Sequence, residues 1–432
     1  MRVCVYGLWH LGCVTAAGLA AAGHRVVGLD PDPAVVAGLA DGRPPLFETG
    51  LAEAVRGGLS AGRLRFTTDA RDALGDADFV WVAFDTPVDD DDGADVGFVR
   101  ERVDAILPLL RPGARVLVSS QVPVGTTRAF EDEAARRRPS RDVTFAYVPE
   151  NLRLGRALET FSRPDRVVVG VRSTTDRERI AALLKPITER IEWMSVESAE
   201  MTKHAINAFL ATSVAFINEI AALCERVGAD AKEVERGLRS ESRIGPRAYL
   251  GPGAAFAGGT LARDLLFLSG LARRHGLPSR LIDGVRASND RHREWPRRRL
   301  AEMLGPLRDR RIAVWGLTYK AGTSTLRRSD ALGLCRWLVE QGARVAAHDP
   351  SLAARPDELP GGAEWAADPL AAAAGADAVV VATEWPAYRD IRPEDLLRVA
   401  PAALVLDANR FLEATLGTDA RVTYLSVGKA AG

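Results

Sequence analysis

The sequence predicts an α/β protein with two parallel-sheet units joined by a long central helix and a helical middle. Three observations predict it. Short Val-rich strands alternate with Ala-rich helical stretches through the first third of the chain. From near Ser198 a run of about thirty residues contains neither Gly nor Pro. A second strand and helix alternation opens at Arg311. With 432 residues the chain exceeds what one hydrophobic core usually supports. It divides on this reading into residues 1–195, 196–300 and 301–432.

In the first part, strands are expected over residues 3–6, 25–29, 79–83 and 115–119, with a helix over 12–22 after the first of them. Residues 143–148 and 166–171 extend the same sheet. The long helix, over residues 199–227, carries apolar positions around much of its circumference, which calls for burial on several sides. In the third part, strands are expected over 311–316, 344–348, 376–382 and 403–406, with helices over 331–341 and 370–376. Four aspartates at 89–92, followed by Gly93, read as a solvated loop, and no metal site is expected.

The 57 basic and 57 acidic residues cancel, so no general electrostatic pull toward nucleic acid or membrane is expected, and an anionic ligand needs local groups. The chain enters its first strand at once, without the pattern of a secretory signal, and no apolar run is expected to reach bilayer-crossing length. A cytoplasmic location follows as an expectation. Cys4, Cys13, Cys224 and Cys335 are scattered through apolar surroundings and read as reduced core residues.

Gly7-Leu-Trp-His-Leu-Gly12 leaves a strand and opens a helix, and Asp30 closes the next strand where a carboxylate can meet an adenosine ribose. Helix amides and the helix dipole at such a turn favour a pyrophosphate. The unit is therefore Rossmann-like, and the acid at position 30 favours NAD over NADP. Trp9 stands where the middle glycine of the motif permits close approach of the pyrophosphate, so a merely structural turn is the competing reading. Thr86-Pro87 and Gln121-Val-Pro-Val-Gly-Thr-Thr127 are further turns at strand ends. On the long helix Lys203 and Asn207 are four apart and project from one face, among Ala205, Ile206 and Phe209.

Further motifs follow in order. They are Tyr147-Val-Pro-Glu-Asn-Leu-Arg-Leu-Gly155, Arg163-Pro-Asp-Arg-Val-Val-Val-Gly170, Arg243-Ile-Gly245 and Tyr249-Leu-Gly-Pro-Gly253. Gly253-Ala-Ala-Phe-Ala-Gly-Gly-Thr-Leu-Ala-Arg-Asp264 comes next, then Gly316-Leu-Thr-Tyr-Lys-Ala-Gly-Thr323, Arg327-Arg-Ser329, His348-Asp-Pro350, Thr383-Glu-Trp-Pro386 and Asp407-Ala-Asn-Arg410. Over nearly the whole chain this series resembles the UDP-glucose/GDP-mannose dehydrogenase family.

The resemblance implies a second Rossmann-like domain for the nucleotide sugar, a dimerising middle, and an active site in the cleft between them. It implies Glu150 as the catalytic glutamate, Lys203 as the group that stabilises an oxyanion, Asn207 as the one that orients the sugar, and Asp264 as the one that activates water or relays a proton. Gly7, Trp9, Leu11, Gly12, Asp30, Thr86, Gln121, Arg263 and Arg327 correspond to cofactor positions. Leu152, Arg243, Tyr249, Gly253, Tyr319, Lys320 and Arg410 correspond to substrate positions, with Arg243 reaching the neighbouring subunit of a homodimer. NAD is the implied cofactor and a nucleoside-diphosphate sugar the implied partner.

Four departures stand out. Gln121 replaces the usual Thr, Leu154 replaces an acidic residue, Arg410 falls one residue late, and Thr260 occupies the position of the family's cysteine. A thiolate attacks an aldehyde readily, whereas an alcohol needs an adjacent base. Oxidation to a uronate is therefore in question. An aldehyde-forming enzyme, a redox-neutral enzyme that recycles its NAD, and a non-catalytic nucleotide-sugar-binding protein all stay open.

Overall fold

In the computed structural model the chain divides into two compact units, Met1–Ile206 and Asn207–Gly432. The structure describes residues 1–89, 93–137, 142–152, 155–257, 259–402 and 404–430. Three of the four aspartates at 89–92, together with Leu154 and Ala403, lie outside the described residues.

Among the described residues the first unit holds eight strands: β1 (Arg2–Tyr6), β2 (Arg25–Leu29), β3 (Leu64–Thr67), β4 (Phe79–Val82), β5 (Arg115–Val118), β6 (Thr144–Tyr147), β7 (Val167–Gly170) and β8 (Ile191–Met194). Their order in the sheet is β3-β2-β1-β4-β5-β6-β7-β8. Neighbours run parallel except β6 and β7, which meet antiparallel at Tyr147 and Gly170. Both faces are covered. Val3 and Val5 enter one apolar cluster while Cys4 and Tyr6 enter the other, so a continuous apolar run, rather than an alternating one, marks this strand.

The first helix, His10–Ala21, buries ten of its twelve residues, from Leu11 through Ala20. Its small residues allow that. A Cβ added at Gly18 would stand 2.3 Å from the Phe161 ring, and one at Gly12 would stand 1.7 Å from the carbonyl oxygen of Gly7. Gly7 itself has φ +95°, a conformation that L side chains rarely adopt.

The second unit begins within the long helix Val196–Val227 and continues through Ala231–Ser240, Thr260–Arg274, Arg280–Arg293 and Trp295–Leu304. An all-parallel sheet follows: β9 (Arg311–Trp315), β10 (Arg344–His348), β11 (Ala363–Trp365), β12 (Ala378–Val381), β13 (Leu404–Asp407) and β14 (Thr423–Leu425), in the order β11-β10-β9-β12-β13-β14. Ile312 and Val314 face one cluster, Ala313 and Trp315 the other. In each sheet the strand order reverses, at β1/β4 and at β9/β12. The carboxyl ends there are the expected place for a ligand.

The long helix corrects one expectation. It contains an 18-residue window of mean hydropathy 1.5 and is long and apolar enough to cross a membrane by length and composition, with half of that window buried in the protein. The four cysteines are all buried and free, as expected.

The two glycine environments make a stability test. Gly12→Ala is expected to cost about 3 kcal/mol, because the new methyl meets backbone that cannot swing aside. Gly57→Ala, in the helix Leu51–Ser60 with nothing within 4 Å of the added carbon, is expected to gain about 0.5–1 kcal/mol. Urea unfolding curves of the two variants check both signs.

Candidate active site

Two carboxylates occupy equivalent places, one after the second strand of each sheet. Asp30 accepts from Leu8 N at 2.7 Å and from Asp32 N at 3.0 Å. Asp349 accepts from Leu317 N (2.7 Å), Thr318 N (2.9 Å), Thr318 Oγ1 (3.0 Å), Ser351 N (2.9 Å), Ser351 Oγ (2.7 Å) and Trp385 Nε1 (3.1 Å). A carboxylate offers about four acceptor sites. Asp349 is thus saturated by its own fold, while Asp30 retains capacity for two ribose hydroxyls. Of the two sheets, the first is the one suited to a dinucleotide.

The rest of the first turn agrees with that. The amino end of the first helix has no side-chain cap, leaving its leading amides for an anion. Trp9 sits at the cap position and is 49% exposed. Leu11 is buried and lines a cavity of about 420 Å³ together with Ser119, Glu150 and Leu152. Thr86 Oγ1 donates to the carbonyl of Gln121 at 2.6 Å, tying the two cofactor turns together.

Lys203 Nζ donates to the Glu150 carbonyl at 2.6 Å and to Glu150 Oε1 at 3.2 Å, and its side chain is only 6% exposed. The other oxygen, Oε2, accepts from Leu152 N at 2.8 Å. A buried ammonium is therefore held against the segment that carries the catalytic candidate. Two neighbours on the same helix escaped sequence reasoning. Glu200, fully buried, accepts from Gly125 N (2.6 Å) and Thr127 N (2.9 Å), and His204 Nε2 donates to the Val122 carbonyl at 3.0 Å. Burial raises the Glu200 carboxyl above its ordinary range despite these bonds. The recurrence of polar residues at 200, 203, 204 and 207 on an otherwise apolar helix was the available signal.

In the second unit Asn207 Nδ2 donates to Asp264 Oδ2, and both residues are buried. Thr260 opens its helix and is exposed. It follows Gly259, whose φ of +100° and ψ of −123° suit glycine. Asp264, one turn on, shares the face of Thr260. Arg263 is buried beside it.

The approach to Thr260 is braced by side chains that sequence reasoning did not single out. Asn218 Oδ1 accepts from Gly253 N (3.0 Å), His292 Nε2 donates to Gly253 O (2.7 Å), and Asn409 Oδ1 accepts from Ala254 N (2.7 Å). Asn289 accepts from Phe256 N (2.9 Å) and donates to Phe256 O (2.8 Å). Burial holds the His292 imidazole below its ordinary range, as suits a neutral donor. Lone Asn and His residues on helices carry no local pattern that marks them as loop braces. Beside this turn a cavity of about 180 Å³ is lined by Ala254, His292, Asp330 and Asn409.

The remaining candidates divide. Tyr319 and Tyr249 are exposed, at 42% and 57%, Lys320 is half-buried, and Arg327 is exposed. Arg243 is exposed and pairs with Glu241 at 3.0 Å. Arg410, expected as a substrate contact, is engaged within the protein. Its side chain is 4% exposed, pairs with Asp230 at 2.7 Å and donates to the Val427 carbonyl at 3.3 Å. Asn409, one residue earlier, meets the glycine turn through Ala254 N.

With this geometry in place, comparison with known proteins is informative. The NAD binding domain of the UDP-glucose/GDP-mannose dehydrogenase family matches residues 1–188, its central domain 197–291, and its UDP binding domain 313–414. A UDP-glucose 6-dehydrogenase of Rhizobium meliloti is 35% identical over 99% of this chain and 100% of its own length. One of Pseudomonas aeruginosa is 38% identical over 90% of this chain and 89% of its own. The solved UDP-glucose dehydrogenase of the archaeon Pyrobaculum islandicum superposes with a TM-score of 0.88 at 31% identity, over 99% of this chain and 98% of that one. The chain belongs to the UDP-glucose/GDP-mannose dehydrogenase family and is an NAD-dependent dehydrogenase of nucleotide sugars.

Proposed function

We propose that the protein oxidises the primary alcohol of a UDP-hexose, UDP-glucose first among them, and that it carries the sugar to the uronate without a covalent thiol intermediate. The observation that carries this reading is the buried Lys203 ammonium fixed on Glu150. NAD, when bound, accepts a hydride from the sugar carbon. Positive charge near the oxygen of that carbon stabilises the carbonyl character that develops, and Lys203 supplies it. Asp264, ordered by Asn207, accepts the hydroxyl proton through a water. Loss of a hydride and a proton gives the aldehyde. Addition of water gives the gem-diol, and loss of a second hydride, to a second NAD, together with a hydroxyl proton gives the carboxylic acid. Thr260 has an un-ionised hydroxyl at neutral pH, so its part is to hydrogen-bond the hydrate. The same threonine favours one alternative, release of the aldehyde after a single oxidation.

In this reading residues 1–195 hold NAD, 196–300 mediate dimerisation and 301–432 hold the nucleotide sugar. A homodimer is supported by Phe209, Phe216, Leu223 and Val227 on the long helix. They are 69%, 45%, 61% and 75% exposed and spaced by seven, seven and four residues, so they form one apolar stripe. A cytoplasmic location is supported by the four free cysteines.

Incubation with NAD and a panel of UDP-, GDP- and dTDP-sugars, with product identified by mass spectrometry, is expected to yield two NADH per UDP-glucose. One NADH per sugar selects aldehyde release, and none with any sugar overturns the proposal. Lys203→Ala is expected to lower kcat roughly 100–1,000-fold, the scale seen when one oxyanion donor is removed.

Iodoacetamide gives a second check. Burial raises all four thiols, Cys335 to about 12, so the thiolate fraction at neutral pH is minute. Full activity is expected to survive the reagent, with cysteines modified only after denaturation. Rapid inactivation of the native enzyme contradicts a thiol-free centre.

Light scattering on a sizing column is expected to give twice 46.5 kDa, and Phe216→Glu is expected to give the monomer mass.

A further inference from the structure

Glu48 is a buried carboxylate that the proposed chemistry does not use. Its side chain has no exposed surface, and it gathers donors from two separate stretches of the first unit. His10 Nε2 donates to Oε2 at 3.0 Å, Gly155 N donates to the same oxygen at 2.8 Å, and Ala157 N donates to Oε1 at 3.0 Å. Burial alone pushes such a carboxyl up. The bonds from His10 and the two amides outweigh that and hold Glu48 below its ordinary range.

The partners give the arrangement its meaning. His10 is the first residue of the first helix, directly after Trp9 in the dinucleotide turn. Its side chain is 15% exposed, so the imidazole is mostly enclosed at the turn where a pyrophosphate would lie. Gly155 and Ala157 lie just downstream of Glu150 and Leu152, at the start of the helix Ala157–Ser162. Lys203 grips the upstream end of that segment through the Glu150 carbonyl. The segment is thus held at one end by an ammonium and at the other by a carboxylate, and the carboxylate alone also holds the dinucleotide turn. Any shift of His10 moves an acceptor that two amides of the substrate segment share.

We propose that Glu48 is a positioning residue that couples the two ligands, so that NAD seated at the first turn sets the segment carrying Glu150 and Leu152 for the nucleotide sugar. Resting on the assignment of NAD and UDP-glucose made above, it adds a route by which each alters the affinity for the other. The route is reciprocal, because a coupling between two bound ligands acts equally on both.

The test measures the dissociation constant of UDP-glucose by calorimetry with and without saturating NADH, which cannot drive the oxidation. In the unaltered protein NADH is expected to tighten UDP-glucose about 5-fold or more, the lower end of ordinary coupling between sites. Glu48→Gln is expected to bring that factor to about one, because an amide cannot accept from both Gly155 and Ala157 while holding His10. His10→Phe leaves the two amide bonds intact and is expected to lose coupling as well. His10→Gln places an N–H near the Nε2 position and is expected to keep it. Hydrogen exchange without ligands is expected to rise at residues 155–157 in Glu48→Gln and to stay unchanged in His10→Gln. If both ligands bind and His10→Phe retains the full coupling factor, the inference is overturned while the proposed function stands. If the unaltered protein binds neither ligand, both fall together.

Discussion

Loops that leave packed strands and helices carry backbone N–H groups out of water, and each must find an acceptor inside the protein. In this chain side chains supply them, and the candidate site depends on that constraint. Asp30 takes Leu8 N, Glu48 takes Gly155 N and Ala157 N, and Glu200 takes Gly125 N and Thr127 N. In the second unit Asp349 takes Leu317 N and Thr318 N, while Asn218, Asn289 and Asn409 take Gly253 N, Phe256 N and Ala254 N. A buried amide left without an acceptor costs about 1–3 kcal/mol. Each of these residues therefore fixes a loop more firmly than its contact area suggests.

The two units differ in which acceptors are saturated. The two sheets repeat one device, a positive-φ glycine (Gly7, Gly316) followed by an acid at the end of the next strand. Asp349 spends its whole capacity on its own domain and Asp30 does not. Of these two similar folds, only the first keeps acceptor capacity at this place for a ligand hydroxyl. Thr260 acts on another level. The Gly253–Phe256 turn is braced by Asn218, His292, Asn409 and Asn289, and the head of the following helix presents a secondary alcohol, Thr260.

The parts legible in the sequence were those whose physics is local. The inner strands are apolar on both faces and announced themselves as Val-rich runs. β3, β8, β11 and β14 were not anticipated, and all four are sheet edges, short and half-exposed, where no continuous apolar run is needed. The antiparallel meeting of β6 and β7 was equally silent, because side-chain patterning does not record strand direction. Among site residues, Glu150, Lys203, Asn207, Thr260 and Asp264 stood in recognisable motifs. Glu48, Glu200, Asn218, Asn289 and His292 did not, since each acts on backbone far away in the chain.

By itself the sequence determined the two α/β halves, the helical middle, the family and the cofactor type, because each rests on residue identity at fixed local spacing. Only the tertiary structure decided that Arg410 turns inward to Asp230, that Asn409 meets the glycine turn, and that Glu48 joins His10 to Gly155 and Ala157. Those outcomes depend on which backbone groups become buried beside which side chains. Burial of that kind exists only once strands and helices distant in sequence have packed together.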